Sequence, residues 1–202
     1  EERCKYISVA LCHRGQRLSD QPFVAKYPGL LTSGIDSQLN YIYRSIVADC
    51  LRVMDYLVSC DDVDSQKISL VGGDLALFTA ALRDSASVLF YTPSLFYKAL
   101  HKATATQNYP LEEFNDYLRS FPESIDQISQ TLAYFEPMNF ASRVKSEVML
   151  MEESEGDAND LAVSFAREIE RSGSKHSSYQ DGVVLAEWLS KKLQTGKTLV
   201  PM

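Results

Sequence analysis

The chain has 202 residues, of which 45% are hydrophobic and 23% are charged, and this is the composition of an ordinary globular domain. The formal net charge of −7 argues against a nucleic-acid or anionic-membrane partner, because both attract basic patches. A solvated acidic surface is the simpler interpretation. No apolar run is long enough to span a membrane, and we expect no secretory signal in residues 1–11.

Short apolar runs predict four strands, over residues 6–11, 68–71, 88–91 and 148–151. Residues 13–38 are rich in glycine and proline and predict a long loop. Apolar residues at three- and four-residue steps predict a helix from residue 43 to about residue 58, and a second helix covers 75–82. Residues 93–143 are mostly helical in pattern. Two last helices are predicted over 160–171 and 181–193, with Asp160 and Asp181 as N-caps.

This alternation predicts an α/β fold, with a mostly parallel sheet and helices on both faces. We expect residues 1–202 to form a single domain in which residues 93–143 are a helical insertion. The first predicted strand begins so early that little sequence is available to cover that side of the sheet, and an uncovered strand exposes unpaired backbone groups. The sequence therefore predicts that an upstream segment of a precursor, another chain or a dimer mate completes the sheet.

The cysteines are Cys4, Cys12, Cys50 and Cys60, and none has the C-x-x-C spacing of a zinc or redox motif. This pattern favours a reducing intracellular compartment. We predict no cofactor.

Several strings resemble motifs of the carbohydrate-esterase family that includes acetyl xylan esterases and cephalosporin C deacetylases. They occur in the family order over residues 6–193. They are RGQ at 14–16, YPGLLTSGI at 27–35, YIYR at 41–44, VD at 63–64 with Ile68, YPLEE at 109–113 with NDYL at 115–118, and TLAYF at 131–135 with NFA at 139–141. The resemblance implies an α/β-hydrolase fold that lacks its N-terminal strands, because the family fold has about eight strands and this chain starts near the fourth. That agrees with the uncovered sheet edge.

The resemblance also locates the nucleophile elbow at residues 72–76. Such hydrolases present a serine between glycines at a strand-to-helix corner, a histidine takes its proton, and an acid orients the histidine. The family elbow reads G-G-S-Q-G, whereas this chain has GGDLA. Asp74 stands where the serine is expected and Ala76 replaces the last glycine. Alternatively, the elbow is shortened and the serine is deleted.

Asp74 has two interpretations. An aspartate can act as a nucleophile, as in haloalkane dehalogenases and epoxide hydrolases, but with an acetyl ester it would form a labile mixed anhydride. Ordinary esterase chemistry through Asp74 is therefore not expected. The simpler interpretation is that Asp74 caps the following helix and accepts its free N–H groups.

The resemblance implies positions for the other catalytic groups. His176 lies in the loop before the last helix, where the family has its histidine. The family acid falls at Gly156, so Asp157 is the candidate, with Glu155 nearby in an acidic loop. The N–H of Leu75 is the one remaining oxyanion donor. No partner pattern accompanies His13, His101, Ser19 or Ser94, and these residues receive no role.

The altered elbow, the displaced acid and the incomplete sheet predict a non-catalytic α/β-hydrolase-like protein that acts in binding or assembly. The alternative is a divergent hydrolase, either esterase- or deacetylase-like or with an aspartate nucleophile, that uses Asp74 and His176. A role as a subunit of a larger assembly is compatible with both.

Overall fold

The computed structural model describes residues 6–154 and 156–195. Its four strands form one parallel sheet in the order β1-β2-β3-β4. The strands are β1 (Ser69–Gly72), β2 (Val88–Tyr91), β3 (Glu147–Glu152) and β4 (Glu170–Gly173). The predicted α/β class is confirmed, and so are the strands expected over 68–71, 88–91 and 148–151, within one residue at either end.

Eight α-helices connect and cover the described strands. They are α1 (Ile42–Val58), α2 (Asp74–Leu82), α3 (Ala99–Thr104), α4 (Glu112–Ser120), α5 (Ile125–Ala133), α6 (Met138–Ala141), α7 (Asn159–Ser164) and α8 (Ser178–Leu193). Helices α3 to α6 lie between β2 and β3, within the stretch expected to be helical. The assignment of the whole chain to a single domain with an insertion stays a prediction. Within the described residues, no helix is both long and apolar enough to cross a membrane.

Helices pack on both faces of the sheet, because alternate side chains of a strand point to opposite faces. On one face, Leu89 and Leu150 pack against α2 and α7. On the other face, Phe90 and Met149 pack against Trp188 of α8. Burial of each such side chain contributes about 1.5–3 kcal/mol, so both faces are needed for a stable fold.

The strand predicted over residues 6–11 is wrong. These residues are irregular, and Ile7 and Val9 are exposed. Tyr6 packs against the cluster that contains Trp188, but no described strand lies beside the segment. An apolar run becomes a strand only when a neighbour supplies backbone hydrogen bonds, and the described part of the chain offers no such neighbour.

The helix predicted over 160–171 is also wrong beyond residue 164. Helix α7 ends at Ser164, and residues 170–173 form β4, which pairs with β3 from Met149↔Glu170 to Glu152↔Gly173. The prediction that Asp160 and Asp181 are N-caps is also wrong, because the N-cap residues of α7 and α8 are Ala158 and Ser177. Asp160 and Asp181 instead lie in the first turns of α7 and α8, where a negative charge still favours the helix.

Strand β1 lies at one edge of the four-stranded sheet. Its residue Val71 points to the same face as Phe90, its register partner on β2. Phe90 is buried, whereas Val71 is 48% exposed. Helix α8 therefore covers this face over β2 and β3 but leaves it open at β1.

Candidate functional site

The predicted strand-to-helix corner is present at the end of β1. The strand ends at Gly72, Gly73 is the N-cap of α2, and the helix begins at Asp74. Gly72 has φ = +153°. A Cβ on Gly73 would lie 2.3 Å from Oγ of Ser94 and 3.0 Å from its Cβ. The loop that follows β2 therefore packs directly on the corner, and only glycine leaves room for it.

The Asp74 side chain points towards that loop, and the residue is only 2% exposed. Its Oδ1 accepts hydrogen bonds from the Tyr91 hydroxyl at 2.8 Å and the Ser94 N–H at 3.2 Å. Its Oδ2 accepts from the Phe96 N–H at 2.6 Å and the Ser94 hydroxyl at 3.1 Å. Each carboxylate oxygen therefore accepts two hydrogen bonds, and these bonds compensate for the burial of the carboxylate.

The interpretation of Asp74 as an N-cap is wrong. Gly73 occupies the cap position, and no side-chain cap hydrogen bond is made there. The carboxylate turns away from the first turn of its own helix because the loop after β2 offers closer donors. Burial, with the adjacent Asp74 carboxylate, raises the pKa of Tyr91 well above its usual range. The Tyr91 phenol therefore stays protonated and donates to Asp74.

A second carboxyl group, Glu136, lies near this corner. Its Oε2 accepts a hydrogen bond from the Lys98 N–H at 3.2 Å. Burial raises its pKa, and the nearby charge of Asp74 acts in the same direction. Local sequence gives no signal for this residue, because its environment depends on how residues 74, 98 and 136 fold together.

Asp157 lies in the loop after β3, where its side chain is exposed. Its Oδ2 accepts a hydrogen bond from the Ser154 N–H at 3.0 Å, so the carboxylate stabilises its own loop. Glu155 lies outside the described residues. The buried Tyr97 hydroxyl donates to the backbone oxygen of Asp157 at 3.4 Å and also to the Asp160 carboxylate. Tyr97 thus links the loop after β2 to the loop after β3.

Charges around Tyr97 strengthen this link. The Lys98 ammonium lies 2.6 Å from Oδ2 of Asp160. Hydrogen bonds from Lys98 and then from Tyr97 lower the pKa of Asp160 to about 2. Burial, followed by the Asp160 carboxylate, raises the pKa of Tyr97 to about 12. Both groups therefore keep the protonation states that the hydrogen bond requires across the neutral range.

His176 lies in the exposed loop before α8 and has φ = +52°. Its backbone N–H donates to Oγ of Ser174 at 3.0 Å, and that hydroxyl donates to Oδ2 of Asp181 at 2.6 Å. Hydrogen bonds from the Lys175 N–H and Ser174 lower the pKa of Asp181, and the charge of His176 adds to this effect. The carboxylate near His176 is therefore Asp181, a residue for which no catalytic role was predicted.

The structure does not join the predicted catalytic residues to one another. Within residues 6–154 and 156–195, no hydrogen bond or ion pair connects any two of Asp74, Asp157 and His176. The Leu75 N–H lies in the first turn of α2, where helix N–H groups lack an intrahelical acceptor.

Sequence reasoning missed Ser94, which contacts Asp74 through both its N–H and its hydroxyl. The described residues also contain no group of three or more His, Cys, Asp or Glu side chains placed to hold a metal ion.

A sequence model of the acetyl xylan esterase family, described as "Acetyl xylan esterase (AXE1)", matches residues 3–167. The chain belongs to the acetyl xylan esterase family. Acetyl esterase Axe7A of Xylanibacter ruminicola is 33% identical over 129 residues. That alignment includes 60% of this chain but only 28% of the relative.

Solved acetyl xylan esterases share the fold. The enzyme from Paenibacillus sp. R4 superimposes with a TM-score of 0.73 at 24% identity, over 89% of this chain and 63% of that protein. Acetyl xylan esterase 1 from Thermoanaerobacterium sp. JW/SL YS485 gives a TM-score of 0.70 at 18% identity, over 89% of this chain and 64% of that protein. This member of the acetyl xylan esterase family therefore spans less than two thirds of the length of these relatives.

Proposed function

We propose that this chain is a non-catalytic member of the acetyl xylan esterase family that acts as a scaffold for binding or assembly. The observation that carries the proposal is the state of Asp74. Asp74, which we predict to stand at the serine position, is 2% exposed, and both of its carboxylate oxygens accept hydrogen bonds from residues 91–96. A group held in this way stabilises the fold rather than presenting a reactive atom to a substrate.

The chemistry of the corner supports the same proposal. A carboxylate nucleophile has to reach the reacting carbon of its substrate, and the water that later hydrolyses the resulting ester needs a base within hydrogen-bond reach. The donors around Asp74 are a phenol, a hydroxyl and two backbone N–H groups, and none of them can accept a proton from an attacking water at neutral pH. Attack of a carboxylate on an acetyl ester would also give a mixed anhydride instead of a stable acyl-enzyme.

Hydrolysis of p-nitrophenyl acetate tests this proposal. We expect the purified chain to release p-nitrophenol no faster than an equal concentration of free histidine does. We also expect the His176→Ala variant to match the wild-type chain, because His176 has no described contact with Asp74. His101→Ala is the matched control, since His101 is an exposed histidine on α3. Turnover that is lost in His176→Ala but kept in His101→Ala would overturn the proposal. An alkyl ester on Asp74, detected by mass spectrometry after incubation with a haloalkane, would favour an aspartate nucleophile instead.

The assembly part of the proposal is supported by the edge of the sheet. Among the described residues, strand β1 has a neighbouring strand on one side only, and Val71 is 48% exposed where helix α8 does not reach. The matched solved esterases are longer than this chain. We therefore propose that an upstream segment of a longer protein, another chain or a second copy completes the sheet beside β1.

A further inference from the structure

An apolar groove of about 320 Å³ opens between α1, α2 and α6, away from the contacts that hold Asp74. Its walls are Leu39, Val47, Phe78, Leu82, Phe135 and Phe140, and Gln38, Arg44 and Tyr134 also line it. The ring centroids of Phe78 and Phe140 are 4.8 Å apart, and those of Phe78 and Phe135 are 6.3 Å apart. These packed rings form a rigid apolar floor. The volume lies at the lower end of the range for small-ligand pockets.

Arg44 gives this apolar groove one positively charged wall. The residue is exposed on α1, and its guanidinium donates a hydrogen bond to the Leu39 backbone oxygen at 3.3 Å. Among the described ion pairs, none includes Arg44. In contrast, Arg14 and Arg52 pair with Asp49, and Arg83 pairs with Asp55. Because no described carboxylate pairs with Arg44, its guanidinium leaves the groove complementary to an anion.

We propose that this groove binds a small amphiphile with an apolar body and a terminal carboxylate, such as a medium-chain alkanoate. The apolar body packs on Phe78, and Arg44 pairs with the carboxylate. Guanidinium and carboxylate groups match each other in geometry, and their hydrogen bonds are charge-assisted. The proposal goes beyond the scaffold function and is independent of it. Neither Asp74 nor His176 lines the groove, so binding there does not depend on whether the corner at residues 72–76 is catalytic.

Isothermal titration of the full chain with sodium octanoate, and separately with 1-octanol, tests this assignment. We expect octanoate to bind more tightly than octanol, which has the same chain length but no charge. Arg44→Gln is expected to weaken octanoate binding about fivefold, the loss typical of an exposed ion pair, and to leave octanol binding unchanged. Arg52→Gln is the matched control, because Arg52 is exposed on the same helix but does not line the groove.

Two further variants test the location of the site. Val47→Trp is expected to fill the groove and abolish binding of both compounds. Leu39→Asp changes an exposed side chain, so it should leave the fold intact while repelling octanoate. No binding of octanoate, equal affinity for octanol, or an unchanged affinity in both Arg44→Gln and Leu39→Asp would each overturn the proposal. A wild-type dimer that dissociates in Leu39→Asp would also overturn it, because the groove would then be an interface between copies of the chain.

Discussion

The Asp74 carboxylate stabilises the strand-to-helix corner, which the family resemblance predicts to be the nucleophile elbow. It joins the start of α2 to the loop after β2 through donors on Tyr91, Ser94 and Phe96. Hydrogen bonds to a charged group contribute more than neutral ones, and removal of one partner leaves the other buried and unsatisfied. The corner is therefore stabilised by the residue that we predict to stand in place of the nucleophilic serine.

Asp74→Asn tests this role directly. The variant keeps the shape of the side chain, but its amide nitrogen cannot accept the hydrogen bonds now made to one carboxylate oxygen. We expect the free energy of unfolding to fall by about 2 kcal/mol, measured by urea denaturation at neutral pH. Asp84→Asn is the control, because Asp84 forms only an exposed ion pair with Lys145 and its loss should have little effect. Equal stabilities of the two variants would contradict the role of Asp74.

The sequence predicts the place of Asp74 but not its partners. The apolar run before Gly72 and the helical pattern after it locate the corner correctly. The donors to Asp74 lie 17 to 22 residues further along the chain, and two of them are backbone N–H groups, which every residue except proline possesses. Local preference therefore indicates an N-cap, whereas the loop that folds over the corner decides the outcome.

Strand β4 shows how two elements can be held together by charge. Its residues are polar, apart from Gly173, and are exposed or half-buried, yet the strand pairs with β3 over four residues. Arg171 on β4 donates to both carboxylate oxygens of Glu152 on β3, with Nη2 at 2.7 Å from Oε1 and Nε at 3.0 Å from Oε2. Glu152 is 1% exposed and also accepts from the Ala158 N–H. This contact fixes β4 and the start of α7 to β3.

The ionisation of Glu152 makes this contact sensitive to pH. Burial acts to raise its pKa, but the Arg171 guanidinium and the Ala158 N–H outweigh burial and hold the pKa below its ordinary value of 4.5. A lowered carboxyl pKa in the folded state contributes stability above pH 4.5, and that stability is lost as the pH falls through the folded-state pKa.

Glu152→Gln should therefore lower the free energy of unfolding by about 2 kcal/mol at pH 7. The difference from the wild-type chain should shrink towards zero as the pH falls from 4.5 through the lower folded-state pKa, because Glu152 of the folded wild-type chain then becomes protonated as well. Urea denaturation at a series of pH values measures this. Glu168→Gln, on an exposed residue of the loop before β4, should show no such trend. A difference that stays constant with pH would contradict the assignment.

Elements with strong apolar patterns were predictable, and those that depend on a neighbour were not. Strands β2 and β3 are buried apolar runs and were found from sequence. Strand β4 has the sequence ERSG, whose polar residues gave no strand signal because its pairing depends on Arg171 meeting Glu152. Residues 6–11 show the converse, since their apolar pattern is strand-like but no described strand pairs with them.

At the scale of the whole molecule, the described sheet has two edges, β1 and β4, and helix α8 leaves one face of the sheet open at β1. The exposed residues Ile7, Val9 and Val71 are apolar, and such residues normally belong to a covered surface when they occur close together or on a sheet edge. The proposal that other polypeptide completes the sheet therefore predicts that the chain on its own associates with itself.

Val71→Lys is expected to weaken that association, because a lysine on an edge strand opposes pairing with another strand. Size-exclusion chromatography with light scattering should show wild-type species larger than one chain and a shift to the monomer in Val71→Lys. Val163→Lys is the matched control, since Val163 is an even more exposed valine but lies on helix α7. A wild-type chain that remains monomeric at all concentrations would count against an incomplete sheet.

The close approach of Gly73 and Ser94 has a consequence for how the corner can change over evolution. Any side chain at position 73 would meet Ser94 within 3.0 Å, so the two positions cannot vary independently. Asp74→Ser would bring a hydroxyl to the corner, but it would also remove the carboxylate that accepts hydrogen bonds from Tyr91, Ser94 and Phe96. A change at residue 74 is therefore also a change in how the loop after β2 packs on the corner.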